Sequence, residues 1–267
     1  MLEKIKHSLI DTHCHLDYEQ LYSELDIVIM RSKEHNVSEM VSICTTLDDI
    51  KKIELITKKY NFIWHTAGVH PHKASTDKFS SNFDEIKKYC LKEKCVGVGE
   101  AGLDYYYDFS SKQDQKESFI TQINISQSLN LPIVVHSRDA DKDMQEFLVS
   151  NYSEKSFKGV LHCFTGGKEL AKSALDIGFY ISFSGIVTFK NSHELQEIAS
   201  YVPSDRYLVE TDSPFLSPVP FRGKTNEPKN TYFVAQCISK LRNTTLENVA
   251  YETSQNAITL FNKMRPS

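Results

Sequence analysis

Short apolar runs recur along the chain, with amphipathic stretches between them. Eight runs have the length and β-branched content of buried strands: SLIDTH (8–13), EMVSICT (39–45), FIWHTAGVH (62–70), KCVGVGE (94–100), PIVVHSR (132–138), GVLHCF (159–164), FYISFSG (179–185) and YLVETD (207–212). Between them, QLYSELDIVIMRSKEH, SKQDQKESFITQINISQSLN and SHELQEIASYV place an apolar residue every three or four positions, the spacing of a helix with one buried face. Alternation of strand and helix implies a parallel sheet. Eight such units in a single domain spanning residues 1–267 predict a closed (β/α)8 TIM barrel, with an open doubly wound sheet as the alternative. Thr244 and Glu247 stand at capping-box spacing and predict a last helix through TTLENVAYETSQNAITLF. The proline-broken stretch SPFLSPVPFRGKTNEPKN (213–230) reads as a long loop, and loops of that length are usually functional or disordered. No interdomain linker, low-complexity tract or repeat interrupts the pattern.

Composition narrows the class. With 267 residues, 40% hydrophobic and 25% charged, the chain can bury a sizeable core and reads as a soluble globular protein. MLEKIKHSLI lacks the apolar run of a signal peptide and no later segment approaches a membrane span, so a cytoplasmic protein without membrane contact is expected. The six cysteines, at 14, 44, 90, 95, 163 and 237, form no Cys-x-x-Cys pair, which argues against a zinc ribbon or a disulfide framework and for small buried thiols. A net charge of −4 argues against a broad basic surface for coating nucleic acid. It leaves room for a local cationic site, because two divalent ions would contribute about +4.

Candidate chemistry gathers where the strands stop. In DTHCHLD, Asp11, His13 and His15 share one face if the extended chain persists, which presents two imidazoles together. Glu100 is read as closing the fourth strand, His136 as closing the fifth, His162 as lying near the end of the sixth, and Asp212 as closing the eighth. In a barrel these ends form the active-site face, so six potential ligands converge from five strands. Singly, His136 reads equally as a satisfied buried histidine, Glu100 as a helix-capping partner and Asp212 as an Asx-turn residue before Pro214. Jointly they suit two divalent cations, magnesium, manganese or zinc, with Glu100 bridging, His13, His15 and Asp212 toward one ion, and His136 and His162 toward the other. Such a centre activates a water, and Asp212 is placed to take its proton.

The motifs DTHCHLD, AGVHPH, VGVGEAGLDYYY, PIVVHSRDA, LHCFTGG, LVETDSPFLSP and FRGKTNEP, in this order from residue 11 to 228, resemble the motif series of the TatD family of metal-dependent deoxyribonucleases, and SQNAITLF resembles its closing helix. The resemblance spans essentially the whole chain. It implies a TIM barrel, a divalent-metal centre with His13, His15, Glu100, His136, His162 and Asp212 as ligands, and exonuclease or DNase activity on DNA, with no departure at those six positions. A single-stranded or end-frayed DNA substrate is expected, and no obligate protein partner is inferred.

Substrate contacts are read from residues nearby. His70 and His72 are expected to end the third strand on one face and to contact phosphate or shuttle a proton. Asp104 is a candidate to orient a ligand histidine. Arg138, with Arg222 and Lys224 in the long loop, is a candidate to grip phosphate, and Tyr105 to Tyr107 offer stacking faces. Two other classes compete: a small-molecule amidohydrolase, which calls for an enclosed apolar pocket, and a catalytically silent nucleic-acid-binding scaffold, which has no need of a complete ligand set.

Overall fold

The structure is a computed structural model that describes residues 3–76 and 83–264, the side chains of 153 and 154 aside. Eight parallel strands, β1 (Leu9–Cys14), β2 (Val37–Ser42), β3 (Ile63–Ala67), β4 (Cys95–Asp104), β5 (Ile133–Arg138), β6 (Gly159–Leu161), β7 (Tyr180–Phe183) and β8 (Tyr207–Val209), pair in sequence order. Helices cover the outside: α1 (Glu19–Tyr22), α2 (Leu25–Glu34), α3 (Ile50–Lys59), α4 (Phe83–Cys90), α5 (Lys112–Leu129), α6 (Asp141–Glu154), α7 (Lys168–Asp176), α8 (His193–Tyr201), α9 (Thr231–Leu241) and α10 (Leu246–Leu260). The expected TIM barrel is thus present. It closes between the ends of β1 and β8 and the residues that follow them, through Thr12 Oγ1 to Val209 O (3.0 Å), Asp212 N to His13 O (2.9 Å) and His15 N to Ser213 O (2.8 Å). None of the helices among the described residues is long and apolar enough to cross a membrane.

Two apolar clusters follow from the alternation of strand side chains. Ile10, Val41, Trp64, Val96, Val134, Val160, Tyr180 and Leu208, one from each strand, meet Leu260, Phe261 and Met264 from the chain's last turns, which plug the barrel interior. Leu9, Met40, Ile63, Val98, Ile133, Leu161, Ile181 and Tyr207 face outward and pack under the helices. Four of the six cysteines are buried and all are free thiols.

The strands depart from the sequence expectation at their ends. β3 stops at Ala67, so His70 and His72 do not share a strand face; Pro71, which fixes φ and lacks an N–H, opens a single 3-10 turn, Pro71–Lys73, that carries His72. β4 runs on to Asp104, so Glu100 lies within a strand, at a register slip between Val98 and Ala101. A bulge of this kind re-aims a side chain. β6 and β8 are three residues each, leaving His162 and Asp212 beyond them, and Asp212 takes φ 55°. Strand β1 also slips, between Asp11 and Cys14, so Asp11 does not join His13 and His15. Its carboxylate instead accepts from Thr211 N (3.0 Å) and Thr211 Oγ1 (2.6 Å) across the barrel seam. The last helix caps one residue later than expected: Thr245, not Thr244, accepts the Asn248 N–H (3.1 Å), and Glu247 accepts from the backbones of Lys6 and His7.

Helix α5 holds the top of the barrel in register. Gln115 and Gln122 are seven residues apart, hence on one helical face, and both are buried. Gln115 accepts from Asp104 N (2.8 Å) and donates to Asp104 O (3.0 Å), while Gln122 accepts from Val69 N (3.0 Å) and donates to Val69 O (2.9 Å). Gly68 permits that approach, since a Cβ there would stand 2.4 Å from Gln122 Oε1. Gly102, at φ 141°, plays the same part between β4 and β5: a Cβ there would stand 2.0 Å from His136 O.

Candidate metal centre

Glu100 is the hub of the site. Its Oε1 stands 2.7 Å from His162 Nε2, 3.0 Å from His136 Nδ1 and 3.3 Å from His70 Nε2, and its Oε2 stands 3.5 Å from His13 Nε2. Asp212 Oδ1 lies 3.2 Å from His15 Nε2 and 3.6 Å from His13 Nε2. The strand-end segments therefore bring together all six residues singled out as ligands, and they add His70. Three groups are compact enough to share an ion: His13, His15 and Glu100; His13, His162 and Asp212; and His70, Glu100 and His136.

Carboxylates behind the cluster fix the rings. Asp104 Oδ2 lies 2.9 Å from His136 Nε2 and 2.8 Å from His72 Nε2, while its Oδ1 accepts the N–H groups of Tyr106 and Tyr107. His136 must then turn Nδ1 toward Glu100. Glu210, which sequence reasoning passed over, does the same for His162: its Oε1 lies 3.3 Å from His162 Nδ1 and accepts the Cys163 N–H at 2.7 Å. The signal that could have found Glu210 is its place in YLVETD, two residues from Asp212, but a strand-interior glutamate reads as exposed until the barrel closes over it.

Electrostatics follow from the geometry. Burial alone would push the Glu100 carboxyl up, but His162, His70 and His13 hold it well below the usual carboxylate range. Burial likewise works against Asp212, and His15, His13 and His162 outweigh it. Burial lowers His13, with His162 adding to the effect, and pushes His70 down to about 4 against the pull of Glu100. His15, His136 and His162 are raised in spite of burial, by Asp212, by Asp104 with Glu100, and by Glu100 with Glu210 respectively. The carboxylates thus favour positive charge at these three imidazoles, the charge that a divalent cation would supply.

The residues fit a metal. Both ring nitrogens of His13, and Nδ1 of His15, are buried without a hydrogen-bond partner. Leaving such atoms unpaired costs roughly 1–3 kcal/mol each, and a Lewis-acidic ion satisfies an imidazole lone pair directly. The mixture of imidazole and carboxylate donors suits zinc, manganese or magnesium.

The centre lies in the wall of a cavity of about 420 Å³ that is also lined by Tyr18, Thr45, His72, Lys73, Tyr107, Arg138, Phe215 and Leu216. Arg138 lays its guanidinium over the Tyr106 ring at 3.8 Å and makes no ion pair among the described residues. Arg222 and Lys224 do not line the cavity; Arg222 stacks over Phe189 at 3.6 Å, and Lys224 is exposed. Tyr105 points away, donating to Asp143.

Comparison with known proteins agrees with this architecture. Residues 10–262 match the family described as TatD related DNase. The chain is 42% identical over 253 residues to the uncharacterized metal-dependent hydrolase YabD of Bacillus subtilis (strain 168), covering 95% of this chain and 98% of that one. It is 30% identical over 258 residues to the 3'-5' ssDNA/RNA exonuclease TatD of Shigella flexneri serotype 5b, covering 95% and 98%. Among solved structures, YJJV, a TatD homologue from Escherichia coli K12, superposes with a TM-score of 0.89 at 23% identity over 95% of this chain and 98% of that one.

Proposed function

The chain belongs to the TatD family of metal-dependent hydrolases, and on that premise we propose that it is a deoxyribonuclease, an exonuclease that hydrolyses DNA phosphodiester bonds with a metal-activated water. The observation that carries this reading is Glu100, one carboxylate in contact with imidazoles from four separate segments, beside a cavity that Arg138 and Lys73 also line. In this proposal His13, His15 and Asp212 would hold one cation, His136 and His162 would hold a second with His70 beside them, and Glu100 would serve both. Bound divalent ions lower the pKa of a water ligand and neutralise charge on the phosphoryl oxygens. Asp212 would take up the proton that such a water releases. Asp104 and Glu210 keep His136 and His162 in the tautomer that turns a lone pair inward. Arg138, braced on Tyr106, donates two N–H groups to a phosphate, and Lys73 adds a point charge. His72 stands by to hand a proton to the leaving oxygen, while Arg222 and Lys224 meet the strand farther out.

The lining supports a phosphodiester over a small amide, since it carries five imidazoles, two carboxylates, Arg138 and Lys73 beside the rings of Tyr107 and Phe215. The name of the Shigella relative supports single strands as the preferred form. Metal-stripped protein incubated with end-labelled single- and double-stranded DNA, with magnesium, manganese or zinc then restored singly, tests the reading. Stepwise shortening of the single strand only after a cation is restored is expected. Inertness toward every strand, with turnover of amides or carboxyl esters instead, would replace the nuclease with the small-molecule hydrolase.

A further inference from the structure

Two aromatic surfaces flank the metal centre from opposite sides of the barrel mouth. Tyr107 and Phe109 follow β4; their rings stack at 5.3 Å with 22° between planes, and each meets the edge of His72, at 5.2 and 4.9 Å. Phe215 follows β8 and meets Tyr18 edge-on at 5.8 Å, and Tyr18 lies 4.9 Å from the His15 ring. In an eight-stranded barrel with strands in sequence order, the ends of β4 and β8 lie half a turn apart. The Glu100 cluster lies between them. Phe109 is 62% exposed, Phe215 47% and Tyr107 40%, so none is needed to fill the core. Large aromatics left in water around one opening mark a binding surface.

Resting on the nuclease reading, we propose that these two surfaces receive the nucleobases on either side of the scissile phosphodiester, one base on Tyr107–Phe109 and the other on Phe215–Tyr18. The occupant follows from what shares the cavity with the platforms: Tyr107 and Phe215 line it together with Lys73 and with Arg138, which lies 5.0 Å from the Tyr107 ring and makes no ion pair among the described residues, so rings and cations meet at one opening. Rings for two bases and cations for the phosphate that joins them are what a dinucleotide step requires. A nucleobase offers a π-face whatever its identity, so such platforms bind without sequence preference. In duplex DNA those faces are covered by neighbouring pairs, so the two platforms select unpaired, splayed nucleotides. Specificity for single strands then resides in Phe109 and Phe215 and not in the metal ligands.

The test uses manganese-loaded protein and single-stranded oligonucleotides carrying a tetrahydrofuran abasic residue on one side or the other of the first scissile bond. On the intact strand, Phe215→Ala and Phe109→Ala are each expected to raise KM about tenfold, with kcat changed much less, the size of one lost base stack. On the strand lacking the matching base, variant and wild type should coincide. Phe215→Trp and Phe109→Trp should restore wild-type KM. Wild-type KM in both alanine variants, or an equal loss on intact and abasic strands, would overturn the proposal while leaving the nuclease reading standing. Failure of wild-type protein to cut any strand would remove the nuclease reading itself.

Discussion

At the scale of single residues, two kinds of carboxylate carry the site. Glu100 touches four imidazoles at its two oxygens, whereas Asp104 touches His136 and His72 from behind. Removing them should differ in kind. Glu100→Ala deletes the shared ligand of both proposed ions and is expected to abolish hydrolysis with the barrel intact by circular dichroism. Asp104→Asn keeps the shape but loses the anion that orients His136, and should lower metal affinity or kcat about 10–100-fold. Metal titrations and steady-state kinetics on the two variants check this, and equal activity losses would refute the distinction. All six ligand candidates could be picked out in the sequence because each is a polar residue at or near the end of an apolar run. His70 reads from the sequence as a candidate substrate contact but not as a neighbour of Glu100, because its place depends on where Pro71 ends the extended chain. Glu210 was not legible, since only closure of the barrel turns it toward His162.

At the scale of elements, the eight strands were visible as apolar runs, but their ends were not. Strand ends depend on ladder partners distant in sequence, and β6 and β8 find such partners for only three residues. The register slips in β1 and β4, which aim His13 and Glu100, leave no local signal in the amino-acid pattern. Nor do Gln115 and Gln122 announce themselves, since glutamine on a helix ordinarily faces water. Yet Gln122 satisfies both the N–H and the C=O of buried Val69, next to His70. Gln122→Leu should therefore strand two backbone groups and cost roughly 1–3 kcal/mol for each, far more than a surface glutamine. Urea unfolding should show a lowered midpoint with unchanged slope, and kcat should fall as His70 loses its support. A midpoint equal to wild type would mean that Val69 finds other partners.

At the scale of the whole molecule, the barrel was legible because eight strand-helix units in 267 residues leave few other architectures. Closure was less so: the seam forms beyond β8, through Thr211, Asp212 and Ser213, the segment that also carries a proposed ligand. With Asp212 as a ligand, as proposed, metal binding and barrel closure would be coupled. A cation at a hundredfold excess over its Kd should add about 2.7 kcal/mol to stability, a rise of roughly 5 °C or more in Tm for a domain of this size. Calorimetric scans with and without chelator measure it, and an unchanged Tm would uncouple the two. The central claim, that Glu100 bridges a pair of divalent ions, is tested most directly by anomalous diffraction from a manganese-soaked crystal. The account predicts two peaks about 3.5–4 Å apart, both in contact with Glu100, one beside His13, His15 and Asp212 and the other beside His136. A single peak, or a pair that leaves Glu100 without a metal, would contradict it.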